Sequence, residues 1–188
     1  MLEQARRRTA DEHVSYLLAD ATTYDFGEAA FDVCISRFGV MFFDDPVGAF
    51  TNLRRTLRPG GRLVAMVWQL RAENEWAQVI PETIGGGGMV RDESPFSFGD
   101  VEVVRGILGS AGFGEVTFAE VRERLYYGSD VETAYANVLQ LREPLALLAE
   151  LAPADAERAR ADLRAMLAAH DSGEGVLFDS ATWIVTAK

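Results

Sequence analysis

The sequence predicts an α/β fold in which a parallel sheet carries its helices in the connections. Three observations point there. Two short runs, Phe31–Ser36 and Arg62–Trp68, are apolar at nearly consecutive positions, as strands covered on both faces are. An amphipathic helical stretch lies between them, so the three form a βαβ unit with short connections. Further helical and extended stretches then alternate to the end of the chain.

The elements can be justified in order. Glu3–Asp11 reads as a charged helix end with no capping residue before it. Val14–Ala19 is a short run with β-branched and aromatic members, ending at Asp20, and has the length of a strand. Phe31–Ser36 follows as a second strand. Asp44–Leu57 is a helix: Asp45 can cap it, Pro46 suits the first helical position, and Val47, Phe50, Leu53 and Leu57 share a face. Pro59, Gly60 and Gly61 are expected to stop it, and Arg62–Trp68 is the third strand. Glu73–Thr83 is helical, and Gly85–Gly88 is a loop, since this glycine run does not open a helix after a strand. Asp100–Ala111 is helical, with Gly112 placed as a C-terminal glycine. Gly114–Tyr127 is extended. Val131–Leu141 and Asp155–Ala169 are helical, joined by the Leu-rich stretch Pro144–Leu151, and Thr182–Ala187 is a last strand. A single domain over 1–188 is expected, with the helices of 128–170 forming a cap over a pocket.

Composition narrows the function classes. With 29 acidic and 18 basic residues the net charge is −11. That disfavours nucleic acid, which needs a basic patch, and an anionic membrane surface. No apolar run reaches the length of a membrane span, and Met1–Arg8 has no apolar stretch behind its basic residues as a signal peptide would. The expected location is cytoplasmic. Cys34 is the sole cysteine, which leaves neither a disulfide nor a cysteine-rich zinc site; mid-strand, it reads as an inert thiol. His13 and His170 stand in no metal-ligand spacing and read as structural or surface residues. No metal is expected.

The sharpest signal is LRPGGRLVAMVW, Leu57–Trp68, a helix stop running into a buried strand. With it stand FDVCISRFGVMFF (Phe31–Phe43), DDPVGAFTNLRRTL (Asp44–Leu57), LLADAT (Leu17–Thr22), FSFGDVEVVRGILGSAGF (Phe96–Phe113) and MLEQARRR (Met1–Arg8). In this order and spacing they resemble the class I S-adenosylmethionine-dependent methyltransferases that act on small molecules, particularly those of ubiquinone and menaquinone biosynthesis. The resemblance spans the chain. It implies a Rossmann-like sheet of order 3-2-1-4-5-7-6. It places Met1 inside the helix after the second strand, so that the first two strands and the glycine-rich cofactor loop are missing, an N-terminally truncated form of the fold.

The resemblance also implies the site. Asp20 would accept a hydrogen bond from the adenine amino group, with the Ala21 N–H reaching the ring. Ser36, Arg37 and Phe38 would touch the methionine end of S-adenosylmethionine. The alternative for Asp20 is a loop-capping residue, and for Arg37 a surface or ion-paired arginine. Phe38, Met41, Phe42, Phe43, Trp68 and Trp76 form an aromatic-rich group that is core, acceptor pocket or both. The implied reaction moves a methyl group to an oxygen, nitrogen or carbon of a small-molecule acceptor. No general base can be named, and the catalytic residues stay unknown. The rivals are a non-catalytic scaffold that does not bind the cofactor by itself, and another nucleotide-binding α/β enzyme such as a dehydrogenase. Without the first two strands, Phe31–Ser36 would be an apolar sheet edge open to self-association.

Overall fold

The computed structural model describes residues 2–9, 11–85 and 92–188. Of the expected glycine loop, Gly86–Gly88 lie outside the described residues; Gly85 is the left-handed C-cap of the helix before it.

Helix α1 (Leu2–Arg8) buries none of its side chains. The Val14–Ala19 run that follows forms no strand. Leu17 and Leu18 are exposed, Leu18 by 85%. The expectation of a strand there is corrected, and the reason is pairing: strand propensity is realised only against a neighbour, and among the described residues no strand pairs with it. Nor does the run pair with β1, whose one partner among the described residues is β2. Instead residues 21–30 are tied along a helix flank. Asn52 Nδ2 donates to the carbonyls of Ala21 (2.9 Å) and Tyr24 (2.7 Å), Arg55 pairs with Asp25 (3.0 Å), and the Ala30 N–H donates to the Thr56 carbonyl (2.8 Å).

Strand β1 (Phe31–Arg37), helix α2 (Pro46–Thr56) and strand β2 (Leu57–Trp68) make the anticipated βαβ unit, with β1 and β2 parallel. Asp45 caps α2 by accepting the Gly48 N–H at 2.9 Å, and Pro46 occupies the first turn. The helix ends at Thr56, before Pro59–Gly61; there the sheet takes over. Gly60 holds φ +83°, and a Cβ on Gly61 would lie 3.0 Å from the Asp32 carbonyl oxygen, so both glycines are needed for the strand to close on β1.

Helix α3 (Trp76–Ile84), helix α4 (Val101–Ser110), strand β3 (Val116–Gly128), helices α5 (Val131–Val138), α6 (Arg142–Glu150) and α7 (Pro153–Ala169), and strand β4 (Val176–Ala187) complete the chain. Pro144–Leu151, read from sequence as a joining stretch, is mostly within α6. The sheet order is β1-β2-β4-β3, with β4 antiparallel to both neighbours. That is the order expected for the last four strands of the seven.

Two cores form. In the first, α2 and α4 cover one sheet face: Phe50, Val104, Leu108 and Phe113 pack on Leu63, Ala65, Val67, Val185 and Ala187. The opposite face is not covered to the same degree. Val64, Met66 and Ile184 are half-buried, and Ile35 is 79% exposed. The expectation of two covered faces is thus met on one side only.

The second core joins α3, α5, α6 and α7 to the far half of the β3–β4 ladder, through Ile80, Val138, Leu147, Leu163, Leu167 and Phe178. Leu163 and Leu167 are fully buried, so truncating either to alanine costs about 2–5 kcal/mol. Buried Asn74 stitches the cores together. Its Oδ1 accepts the Ala181 N–H at 3.1 Å, and its Nδ2 donates to the Leu70 carbonyl at 3.1 Å.

Candidate functional site

β1 and β2 end side by side at Arg37 and Trp68. In open α/β sheets, ligands gather beyond the carboxyl ends of parallel strands. Just there the backbone turns sharply: Phe38 has φ +54°, a left-handed conformation costly for a residue with a Cβ. Two interactions hold it. The Phe38 N–H donates to the Met66 carbonyl at 2.9 Å, extending the ladder by one residue, and its ring stacks on Trp68 at 4.2 Å and 12°. The Arg37 guanidinium sits 4.9 Å from the centre of the Phe38 ring. Ser36 is half-buried and Arg37 is exposed; as neighbours along β1 they point to opposite faces of the sheet.

An aromatic row runs on from this turn. Trp68 meets Trp76 edge-on at 5.3 Å, and Trp76 meets Phe96 at 5.8 Å. Beyond Trp76 lies a cavity of about 120 Å³ between α3 and α6, with Trp76, Ile80 and Phe96 among its apolar lining and Asp92, Arg142 and Glu143 as its charged lining. Its frame is fixed by Arg71, which is almost fully buried. That guanidinium donates to the Ala77 and Asp92 carbonyls (2.8 and 2.7 Å), pairs with Glu93 (2.7 Å) and Glu143 (3.2 Å), and lies 4.7 Å from the Phe96 ring centre.

The comparisons with known proteins can be set against this geometry. Residues 1–65 match the model of a family described as a methyltransferase domain. The structure superposes on the YcgJ protein of Bacillus subtilis with a TM-score of 0.59 at 11% identity, covering 98% of this chain and 75% of that one. It also superposes on phosphoethanolamine N-methyltransferase 2 of Haemonchus contortus, solved with S-adenosylhomocysteine, with a TM-score of 0.51 at 15% identity, covering 98% and 40%.

The fold is the Rossmann-like fold of class I methyltransferases, and the first third of the chain matches a methyltransferase domain.

Among curated methyltransferases, it is 42% identical over 65 residues to the demethylmenaquinone methyltransferase of Clavibacter sepedonicus, covering 34% of this chain and 26% of that one. It is 27% identical over 138 residues to the ubiquinone/menaquinone biosynthesis C-methyltransferase UbiE of Serratia proteamaculans, covering 63% and 54%. The chain thus spans from a quarter to about half the length of these relatives.

Of the residues singled out from sequence, the structure brings Ser36, Arg37 and Phe38 together at the strand ends. Asp20 and Ala21 do not join them. The Asp20 carboxylate accepts the Thr22 N–H at 2.8 Å, and its carbonyl accepts that of Tyr24 at 2.9 Å, closing a local turn. The Ala21 carbonyl is taken by Asn52, which stands six residues beyond Pro46, roughly 9 Å down α2 from the strand-end side at 1.5 Å per residue.

Elsewhere, burial pushes the Cys34 thiol pKa up, which disfavours the reactive thiolate. His13 is exposed beside Glu12. His170 is wedged into the second core, its Nδ1 against the Met166 carbonyl at 2.8 Å, its Nε2 3.3 Å from Glu75 and its ring stacked on Phe178 at 4.4 Å.

Sequence reasoning passed over Arg71. It sits in the polar string Gln69–Glu75, which reads as a solvated connection. The one available signal was that this string is bracketed by Trp68 and Trp76, so that it has to cross the aromatic row.

Proposed function

We propose that this chain forms the acceptor-binding side and part of the cofactor site of an enzyme that transfers a methyl group from S-adenosylmethionine to a small-molecule acceptor. The observation that carries the reading is the Ser36–Phe38 turn at the carboxyl end of a parallel strand pair. Its support is the methyltransferase fold, seen in a relative solved with S-adenosylhomocysteine, and the methyltransferase names of the curated relatives.

The turn fits the amino-acid end of such a cofactor. Among the described residues Arg37 has no carboxylate partner, and an exposed guanidinium suits a free carboxylate. The fit is partial: among the described residues no glycine-rich loop leads from a strand into a helix. When bound, S-adenosylmethionine supplies a methyl group already activated by its sulfonium, so the protein's share is placement and exclusion of water. Arg37 and Ser36 orient the amino-acid end. Phe38 and Trp68 wall off solvent with a rigid aromatic face. Asp20 uses only part of its acceptor capacity on Thr22 and keeps lone pairs for the adenine amino group, with Ala21 beside it. The helices of 128–170 cap the acceptor. The setting is cytoplasmic; no described helix is long and apolar enough to cross a membrane.

The test compares the 188-residue chain with a chimera carrying a relative's glycine-rich strand–loop–helix–strand segment ahead of Leu2, both titrated with S-adenosylmethionine by calorimetry. The chimera is expected to bind at micromolar concentration and the short chain not to bind measurably. In the chimera, Asp20→Ala should weaken binding about ten- to a hundredfold, the worth of one hydrogen bond to a charged acceptor. A folded chimera that does not bind overturns the assignment, and micromolar binding by the short chain overturns the statement that its cofactor site is only partial.

A further inference from the structure

β1 is a strand whose outer side is unused. Among the described residues it pairs with β2 alone. The Phe38 N–H donates to the Met66 carbonyl, and the Asp32 carbonyl oxygen lies against Gly61, so both face β2. Backbone groups alternate in direction along a strand. The N–H and C=O groups of Phe31, Val33, Ile35 and Arg37 therefore point away from β2, toward the free edge. The irregularity of the β1–β2 ladder falls on β2, which carries the extra residues between Leu57 and Arg62, so β1 itself runs straight.

The usual guards of a free edge are missing from it. Proteins blunt such edges with proline, lysine, bulges or inward-pointing charge. β1 has neither proline nor lysine. Its one carboxylate, Asp32, is already paired with Arg58 at 2.8 Å, and its one cation, Arg37, stands at the very end. Phe31 is 47% and Ile35 79% exposed.

The strand itself says what fits this edge. FDVCISR carries a chemical pattern that reads alike in both directions. Laid antiparallel on a second copy of itself about Cys34, it sets Val33 against Ile35, Asp32 against Ser36 and Phe31 against Arg37, each pair occurring twice. Apolar meets apolar, a carboxylate meets a hydroxyl, and a ring meets the aliphatic stem of an arginine. The direction of the backbone agrees. The outward-facing residues Phe31, Val33, Ile35 and Arg37 become the hydrogen-bonded pairs, and Cys34 stands opposite its own copy in a non-hydrogen-bonded pair. Moving the centre to Val33 or to Ile35 keeps that parity but leaves two of the seven residues of each strand unpaired. About Ile35 it also sets Val33 against Arg37.

We propose that two copies of this chain pair along β1, antiparallel and centred on Cys34, joining two four-stranded sheets into one of eight strands. The two-fold axis stands perpendicular to the sheet, so α2 and α4 of both copies lie on the same face. The strand contributes one acid and one base, which leaves the contact itself neutral in a chain of net charge −11. The proposal rests on the geometry of β1 and not on the methyl-transfer reading.

The test uses the 188-residue chain, by sedimentation velocity and by oxidation with copper phenanthroline. In this register the two Cys34 Cα atoms stand about 4.5 Å apart, inside the range of roughly 4.4–6.8 Å that a disulfide spans. Wild type is expected to sediment as a dimer and to give a covalent dimer on non-reducing electrophoresis. Cys34→Ser should lose the covalent band and still sediment as a dimer, since the thiol reports the contact and does not make it. The register is read with new cysteines in the Cys34→Ser background. Val33→Cys and Ile35→Cys should each fail to cross-link alone and should cross-link when mixed, because each faces the other across the axis. Wild type that sediments as a monomer at low and high salt overturns the pairing. Self-linking of Val33→Cys or of Ile35→Cys, or a dimer in which no cysteine cross-links, overturns the register centred on Cys34.

Discussion

Phe38 shows how a single residue can be held against its own preference. Its left-handed backbone is opposed by its Cβ, and it is kept there by one ladder hydrogen bond and one stack. The strain can be measured apart from the stack by comparing two variants that both lack the ring. Phe38→Gly should be more stable than Phe38→Ala by about 1 kcal/mol in urea denaturation, because glycine takes a positive φ at no steric cost. Equal stabilities would mean the turn relaxes once the ring is gone. The turn itself was legible in the sequence, as a strand running into Ser36-Arg37-Phe38-Gly39. Its handedness was not. A reader would assign the left-handed position to Gly39, yet Gly39 has φ −111° and Phe38 takes it, because stacking on Trp68 is a contact between residues 30 positions apart that no local pattern encodes. Asp20 was legible as a turn residue; its distance from Phe38 depends on Asn52, another long-range partner.

At the scale of elements, caps decide where helices begin. Asp45, Asp100 and Asp130 each accept backbone N–H groups at the start of a helix. Asp130 is the most heavily engaged, accepting the Thr133 N–H at 2.8 Å and the hydroxyls of Ser129 (2.8 Å) and Thr133 (2.9 Å). The Thr133 N–H first, then the Ser129 and Thr133 hydroxyls, hold its carboxyl below the ordinary value of 3.8. The sign follows: a group whose folded pKa is depressed stabilises fully above its unfolded value and loses that contribution as pH falls through the folded one. Asp130→Asn keeps a cap and cannot titrate. The stability advantage of wild type over Asp130→Asn should therefore be flat near neutrality and shrink below about pH 4 in thermal melts. A constant difference down to acid would show that the carboxylate is not held low. The helices α2 and α4 were readable because cap, period and stop agree within each segment. Val14–Ala19 misled because a strand is a property of two segments, and no described strand pairs with it.

At the scale of the whole molecule, the sheet is packed on one face only, and β1 and β3 are its two edge strands. β1 lies at the edge, with Phe31 47% and Ile35 79% exposed, and the face beyond it is half-covered. Apolar edges recruit further strands, and native proteins blunt them with charge. The net charge of −11 opposes association at low salt, and added salt screens that repulsion. The 188-residue chain is therefore expected to self-associate in sedimentation velocity, more at high salt. Ile35→Lys should shift it toward monomer with little change in melting temperature, since Ile35 is hardly buried. Self-association unaffected by this change would place the contact elsewhere. The layer arrangement was readable from the alternation of strands and helices. The unequal cover of the two faces was not, because the consecutive apolar residues of β2 look alike whether one face is packed or both.

The long β3–β4 ladder pairs Val116 with Ala187 at one end and Gly128 with Val176 at the other, and the whole of α5, α6 and α7 lies between its strands. Read as a history rather than a shape, this imposes an order. The strands cannot meet until the intervening chain has been gathered in, and closing that much flexible chain is slow. If the three helices pack first, around Leu163 and Leu167, they become a compact clasp that carries Val176 back to Gly128. The ladder can then zip from its helical end toward Ala187, and β2 gains its antiparallel neighbour last. Refolding would begin in the helices and end at the strand-end turn, so a chain released early from synthesis or from denaturant would possess its helical core before it possessed a finished sheet.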